Sequence, residues 1–161
     1  VHGVDGIVVV RIVRMIPIQQ RIVQADLQPL RAERLHIFAH QIAAADAVVM
    51  AAPFWDLSVP ALLKIYIENV SMDGITFQST AEGLKGLCRG TDLVFLTTRG
   101  GIYGENNDWE QGVPYLAAIQ KFFGFDRFHA IAADGMDVQG FDGEGELRKA
   151  MEQAAALAKT L

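Results

Sequence analysis

Two short segments carry residue types that could hold a flat, partly apolar ligand and steady a negative charge on it. The first is Pro53-Phe54-Trp55-Asp56-Leu57, which follows the apolar run Asp46–Ala52. A proline and two aromatics at the end of a buried strand can wall a ring-binding cleft. They can equally plug the core or a subunit contact. The second is Thr98-Arg99-Gly100-Gly101, which follows Thr91–Thr97. Paired glycines let backbone N–H groups approach a ligand closely. Arg99 supplies a fixed positive charge for an anion. Taken alone, a glycine pair is also an ordinary turn. Together the segments say more, because each ends a strand, and ligands of open parallel sheets bind beyond the carboxyl ends of strands.

Other reactive groupings fall short of a site. His36 and His40 share an i, i+4 face but have no HExxH pattern or cysteine beside them, so a surface pair is expected. The acidic stretch Asp134–Glu146 offers no register with the ligand spacing and central glycine of a calcium loop, and reads as a solvated loop. The single cysteine, Cys88, reads as a small buried or half-buried filler rather than a nucleophile. Neither a G-x-S-x-G elbow nor a P-loop lysine motif is present.

The elements that position the two segments follow from periodicity. Gly6–Val13, β-branched and nearly continuously apolar, reads as a buried strand, as do Asp46–Ala52 and Thr91–Thr97, and Arg127–Ala133 reads as a fourth strand. Ile22–Leu27 is a further short candidate. Arg31–Ala45 has helical spacing. The clearest helical stripe is Val59, Leu62, Leu63, Tyr66, Ile67 and Val70, with Ser58 as the expected N-cap and Pro60 in the first turn. Asp73–Gly74 closes it as a turn. A helix is expected from Gly112 to Phe123, stopped by Gly124. The last is expected over Glu144–Leu161, with Leu147, Ala150, Met151, Ala154, Ala158 and Leu161 on one face. Strands alternating with helices imply right-handed crossovers and a parallel sheet in a single domain over residues 1–161.

One stretch departs from this scheme. Only Arg14–Arg21, eight residues including Pro17, separate the first two candidate strands. A parallel crossover takes about a dozen residues or more. Val1–Gln20 also contains no serine or threonine, so a phosphate cradle at a helix N-terminus is not expected there.

Ala51-Ala52-Pro53-Phe54-Trp55-Asp56, the helix Pro60–Asn69, Gly74-Ile75-Thr76-Phe77, Gly83-Leu84 and Thr97-Thr98-Arg99-Gly100-Gly101 resemble the FMN-dependent NADH-azoreductases. These lie within the wider flavodoxin-like NAD(P)H quinone oxidoreductases. The resemblance runs from about Asp26 to Leu161. It implies a flavodoxin-like α/β three-layer sandwich, here without the phosphate loop and first helix. It implies FMN as cofactor and NADH or NADPH as electron donor. It implies a quinone, azo or nitroaromatic acceptor and a homodimer. Carried over, Pro53 to Leu57 and Thr98 to Gly101 would hold the isoalloxazine ring. Trp55-Asp56 stands where the family has an aromatic followed by asparagine. The rival reading is a flavin-free flavodoxin-like fold acting as a binding or oligomeric scaffold.

Composition bounds the rest. Half of the 161 residues are apolar and a fifth are charged, which suits a sheet covered on both faces. A net charge of −5 with no Lys/Arg cluster argues against a nucleic-acid partner. No stretch reaches the ~18 uninterrupted apolar residues of a membrane span. A lone cysteine suits a reducing cytoplasm.

Overall fold

The computed structural model describes residues 2–4, 7–11, 28–104 and 107–161. The expected strand at Ile22–Leu27 and the expected chain course over Arg14–Arg21 lie outside these residues. Among the described residues eleven elements run in chain order. They are β1 (His2–Val4), β2 (Ile7–Arg11), α1 (Gln28–Ala44), β3 (Ala47–Ala51), α2 (Ala61–Val70), β4 (Phe77–Thr80), β5 (Gly83–Gly86), β6 (Asp92–Thr98), α3 (Gly112–Phe123), β7 (Arg127–Ala133) and α4 (Gly143–Leu157).

β2, β3, β6 and β7 form a parallel sheet in that order, and β1 pairs antiparallel on the outer edge of β2. The edge strand β1 has no counterpart in the sequence expectation. The strand steps β2–β3–β6–β7 all go one way, so right-handed crossovers lay α1, α2 and α3 on one face. The core is on that face. Val48 and Met50 of β3 and Leu93 and Phe95 of β6 meet Ala39 and Ile42 of α1, Leu63, Ile67 and Val70 of α2, and Leu116 and Phe123 of α3. By strand alternation Asp92, Val94 and Leu96 point to the opposite face.

Local signals explain most boundaries. α3 stops where Gly124 takes φ 91°, a left-handed C-cap that costs glycine nothing. α2 begins later than expected. Pro60 is its N-cap residue and makes no side-chain cap, while Ser58 is drawn into a two-residue turn with Trp55. α4 is capped by Asp142, whose side chain accepts from Gly145 N at 2.9 Å. It packs against β7, has no buried residue, and leaves Met151 63% exposed.

The hairpin β4–β5 is a separate two-stranded sheet with no counterpart in the sequence expectation. Its strands are short and largely exposed, so they lack the apolar alternation of a buried strand. What anchors it is tertiary: Phe77 lies on Phe122 with ring centroids 4.5 Å apart, and Leu87 N donates to Thr76 O at 3.0 Å. Cys88 beside it is half-buried, and burial pushes its thiol pKa up to about 12. That suits a filler rather than a nucleophile. His36 and His40 are both exposed.

Candidate functional site

β3 and β6 are hydrogen-bonded neighbours with parallel register Ala47↔Asp92 to Ala51↔Leu96. Their following loops therefore emerge side by side. Ala52 N donates to Leu96 O and Phe54 N to Thr98 O, each at 3.0 Å, so the two segments singled out by sequence form one surface.

In the first loop Trp55 and Ser58 exchange backbone hydrogen bonds of 3.1 and 2.9 Å. Asp56 and Leu57 between them have φ of 49° and 62°. A two-residue hairpin turn of the mirrored kind requires positive φ at both positions, which Asn-Gly supplies best. Leucine there costs about 1–2 kcal/mol. Strain of this kind persists where the surroundings impose it, and it clusters at functional sites. The surroundings do impose it. Leu57 O accepts from Gln111 N at 2.8 Å, which ties the turn to the start of α3. Buried Glu110 caps that helix, its Oε1 accepting from Gly112 N at 2.9 Å and Val113 N at 3.1 Å. Its negative charge sits at the positive helix end. Glu110 carried no sequence signal beyond its place before a glycine and a helix.

Phe54 is buried and meets the Tyr103 ring edge-on at 4.7 Å. Trp55 and Leu57 are exposed, as are Ile102 and Trp109. Pro53 is half-buried. These side chains give the rim an apolar character.

In the second loop the arginine is not a free surface charge. Arg99 is 6% exposed, and its guanidinium lies 5.9 Å from the Phe54 ring centroid and 6.0 Å from that of Tyr103. Its carboxylate partner is Asp134, with Nη1 to Oδ1 at 3.5 Å. The loop after β7 is in fact a third wall. Arg99 N donates to Ala133 O, Met136 N to Arg99 O, Asp137 N to Gly100 O and Gly135 N to Gly101 O, all at 2.8–3.0 Å. A Cβ on Gly100 would strike the Asp137 carboxylate, and one on Gly101 would stand 3.3 Å from the Tyr103 ring.

Of the expected solvated acidic loop at Asp134–Glu146, residues 137–142 and Glu144 are exposed as expected, and Asp134 departs from it. Asp134 pairs with Arg99 and binds two amides, Asp137 packs on Gly100, and Asp142 caps α4. The signal that could have found Asp134 was its place directly after β7, at the same sheet end as the other loops.

The surface offers donors. Among the described residues, the amides of Asp56, Leu57, Gly100 and Gly101 have no intramolecular acceptor. Free amides from two adjacent loops, beside an apolar rim, suit a flat ring bearing carbonyl and imine acceptors along one edge. No group of three or more His, Cys, Asp or Glu residues is placed to hold a metal ion among the described residues. Nor does any helix there have the length and apolarity to cross a membrane.

A protein family described as having a flavodoxin-like fold matches residues 12–158. An FMN-dependent NADH:quinone oxidoreductase 2 of Clostridium acetobutylicum is 47% identical over 76% of this chain and 62% of its own length. An FMN-dependent NADH:quinone oxidoreductase of Clostridium perfringens is 45% identical over 76% of this chain and 61% of its own. The chain thus spans about three fifths of the length of these curated relatives. The crystal structure of an azoreductase from Bacillus anthracis superposes with a TM-score of 0.74 at 28% identity, covering 86% of this chain and 68% of that one.

Proposed function

The chain belongs to the family of flavodoxin-like fold, and from that premise we propose that it is a flavin-dependent oxidoreductase, passing two electrons from NADH or NADPH through FMN to a quinone, azo or nitroaromatic acceptor. The observation that carries this reading is the joining of the Pro53–Leu57 and Thr98–Gly101 loops through Phe54 N and Thr98 O, with free amides on both. The names of the relatives, FMN-dependent NADH:quinone oxidoreductase and azoreductase, support the same chemistry.

When bound, the flavin supplies the redox chemistry, accepting a hydride and releasing electrons to the acceptor. The chain supplies position and electrostatics. The Gly100 and Gly101 amides donate to the ring edge on which charge develops. Arg99, buried next to them, biases that edge electrostatically. Phe54 and Pro53 back the first loop, and exposed Trp55 walls the place where an aromatic acceptor stacks. Asp56 and Leu57 present the donors of the strained turn.

The test is a titration of the purified chain with FMN and with riboflavin, followed by quenching of flavin fluorescence. Riboflavin carries the ring without the phosphate, so it reports on these loops alone. Saturable binding of both is expected, and NADH oxidation with a soluble quinone should follow once FMN is bound. Gly100→Val should weaken both flavins by about tenfold, or ~1.4 kcal/mol, because its side chain would displace Asp137 and shift the turn. Absence of binding by either flavin would overturn the reading and leave the scaffold alternative. That alternative draws on one observation: the open sides of Gly100 and Gly101 are already taken by Asp137 and Tyr103.

We infer also that the protein is a cytoplasmic homodimer. Ile65 of α2 and Trp109 before α3 are 43% and 67% exposed, and they offer apolar surface that a two-fold partner would cover. Light scattering at micromolar concentration should give twice the chain mass, and a Trp109→Lys variant should give the single mass. A monomeric parent would refute the dimer.

A further inference from the structure

Asp134 stands first after β7, and its carboxylate reaches in two directions. Oδ2 accepts from the amides of Tyr103 at 3.0 Å and Gly104 at 3.4 Å. Oδ1 faces Arg99 Nη1 at 3.5 Å. Both side chains are largely withdrawn from water, 7% exposed for Arg99 and 18% for Asp134. Yet among the described residues neither Asp134 Oδ1 nor Arg99 Nε has a hydrogen-bond partner.

A buried pair that attracts without being fully hydrogen-bonded is a poor way to stabilise a fold. Apolar side chains of similar size commonly do as well or better. A partly satisfied buried polar group therefore calls for another reason, and a redox role is one of the few available. The place suggests which. Arg99 heads the glycine turn, and its guanidinium lies about 6 Å from each of two rings carried by the two loops, Phe54 and Tyr103. Uncompensated in this water-poor position, its charge would act strongly on anything bound at Gly100 and Gly101. The Asp134 carboxylate is the one negative charge paired with it among the described residues.

We propose that Asp134 is a positioning residue of the flavin turn: acting through Arg99 and the Tyr103–Gly104 amides, it sets how far the turn favours reduced over oxidised flavin. The inference rests on the flavin reading above. Cancelling most of the arginine charge keeps the reduced ring from being held too tightly, so that its electrons pass on to the acceptor. Asparagine at 134 can still accept from the two amides through its carbonyl, but it carries no charge. The net positive field at the turn then rises, and reduced flavin gains on oxidised flavin.

The experiment is the midpoint potential of FMN bound to the parent chain, Asp134→Asn and Asp134→Glu, measured by dye-coupled reductive titration. Asp134→Asn should raise the ratio of reduced to oxidised affinity about tenfold, or ~30 mV upward for a two-electron couple. Asp134→Glu keeps the charge and should stay near the parent value. Should Asp134→Asn fail to fold, Arg99→Met tests the pair from the other side and should lower the potential by a similar factor. A parent that binds FMN but whose potential is unmoved by Asp134→Asn, or by Arg99→Met where that variant serves, overturns this inference alone. Equal shifts in Asp134→Asn and Asp134→Glu also overturn it, since geometry rather than charge would then be responsible. A parent that binds no flavin overturns the flavin reading, and this inference with it.

Discussion

Asp92→Asn should cost the fold about 3 kcal/mol at neutral pH. Asp92 opens β6 and is 1% exposed. Its carboxylate accepts from Thr91 Oγ1 at 2.5 Å and from Arg127 Nε and Nη2 at 2.8 and 2.7 Å, and it lies 2.7 Å from His129 Nε2. Arg127 lies directly across the β6–β7 ladder, and His129 is two residues on, hence on the same face. Arg127 is 59% exposed, so its own charge can return to water when the partner goes. The loss therefore falls on the buried carboxylate and the bonds it organises.

The pH dependence has a definite sign. The Arg127 hydrogen bond, with smaller help from Thr91 and His129 and against the pull of burial, holds the Asp92 carboxyl well below the usual carboxylate range. A depressed folded pKa gives stability that is complete above the unfolded value, ~3.9, and is lost as pH falls toward the folded value. The deficit of Asp92→Asn should thus be full at pH 7 and shrink below about pH 4. Urea unfolding of parent and variant at pH 7 and pH 3 reads both. A deficit under about 1 kcal/mol at pH 7, or one that does not shrink at pH 3, would contradict this account of the cluster.

Gly86→Ala should be comparably severe for a different reason. A Cβ at Gly86 would fall on the main chain of Phe123 and Gly124. Main chain cannot turn aside as a side chain can. Cys88 N donates to Phe123 O at 3.0 Å, which holds the two segments together just beyond the contact. Separating them should cost about 3 kcal/mol, or a fall in Tm on the order of 10 °C for a chain of this size. Gly83→Ala is the control. It has φ 124°, a backbone conformation that L side chains rarely adopt, but nothing within 4 Å of its Cβ position, so alanine there strains the backbone without a collision. Its cost should be about 1–2 kcal/mol. Thermal unfolding that ranks Gly83→Ala as severe as Gly86→Ala would show that conformation rather than contact governs the hairpin.

The sequence by itself determined the alternation of strands and helices, because burial on both faces leaves continuous apolar runs and a helix against a sheet leaves a stripe. β7 and α3 lie at the residues expected for them, and Gly124, which ends α3 and opens the turn into β7, acts locally. It also determined that the loops after β3 and β6 are neighbours, which follows from the crossover rule. Ser58 shows where local chemistry is overruled: a good cap residue was taken into a turn that Gln111, far along the chain, helps to hold. The hairpin β4–β5 was hidden because its anchor is a close approach of two glycine backbones, Gly86 and Gly124, with no periodic trace. The part Asp134 plays after β7 was hidden for a related reason. Asp134 and Asp142 are the same residue type in one short stretch, but one meets a buried arginine and the other a helix N-terminus. The charge partner of a side chain is fixed by distance in space, and only the folded chain brings Arg99 to Asp134, or Arg127 and His129 to Asp92.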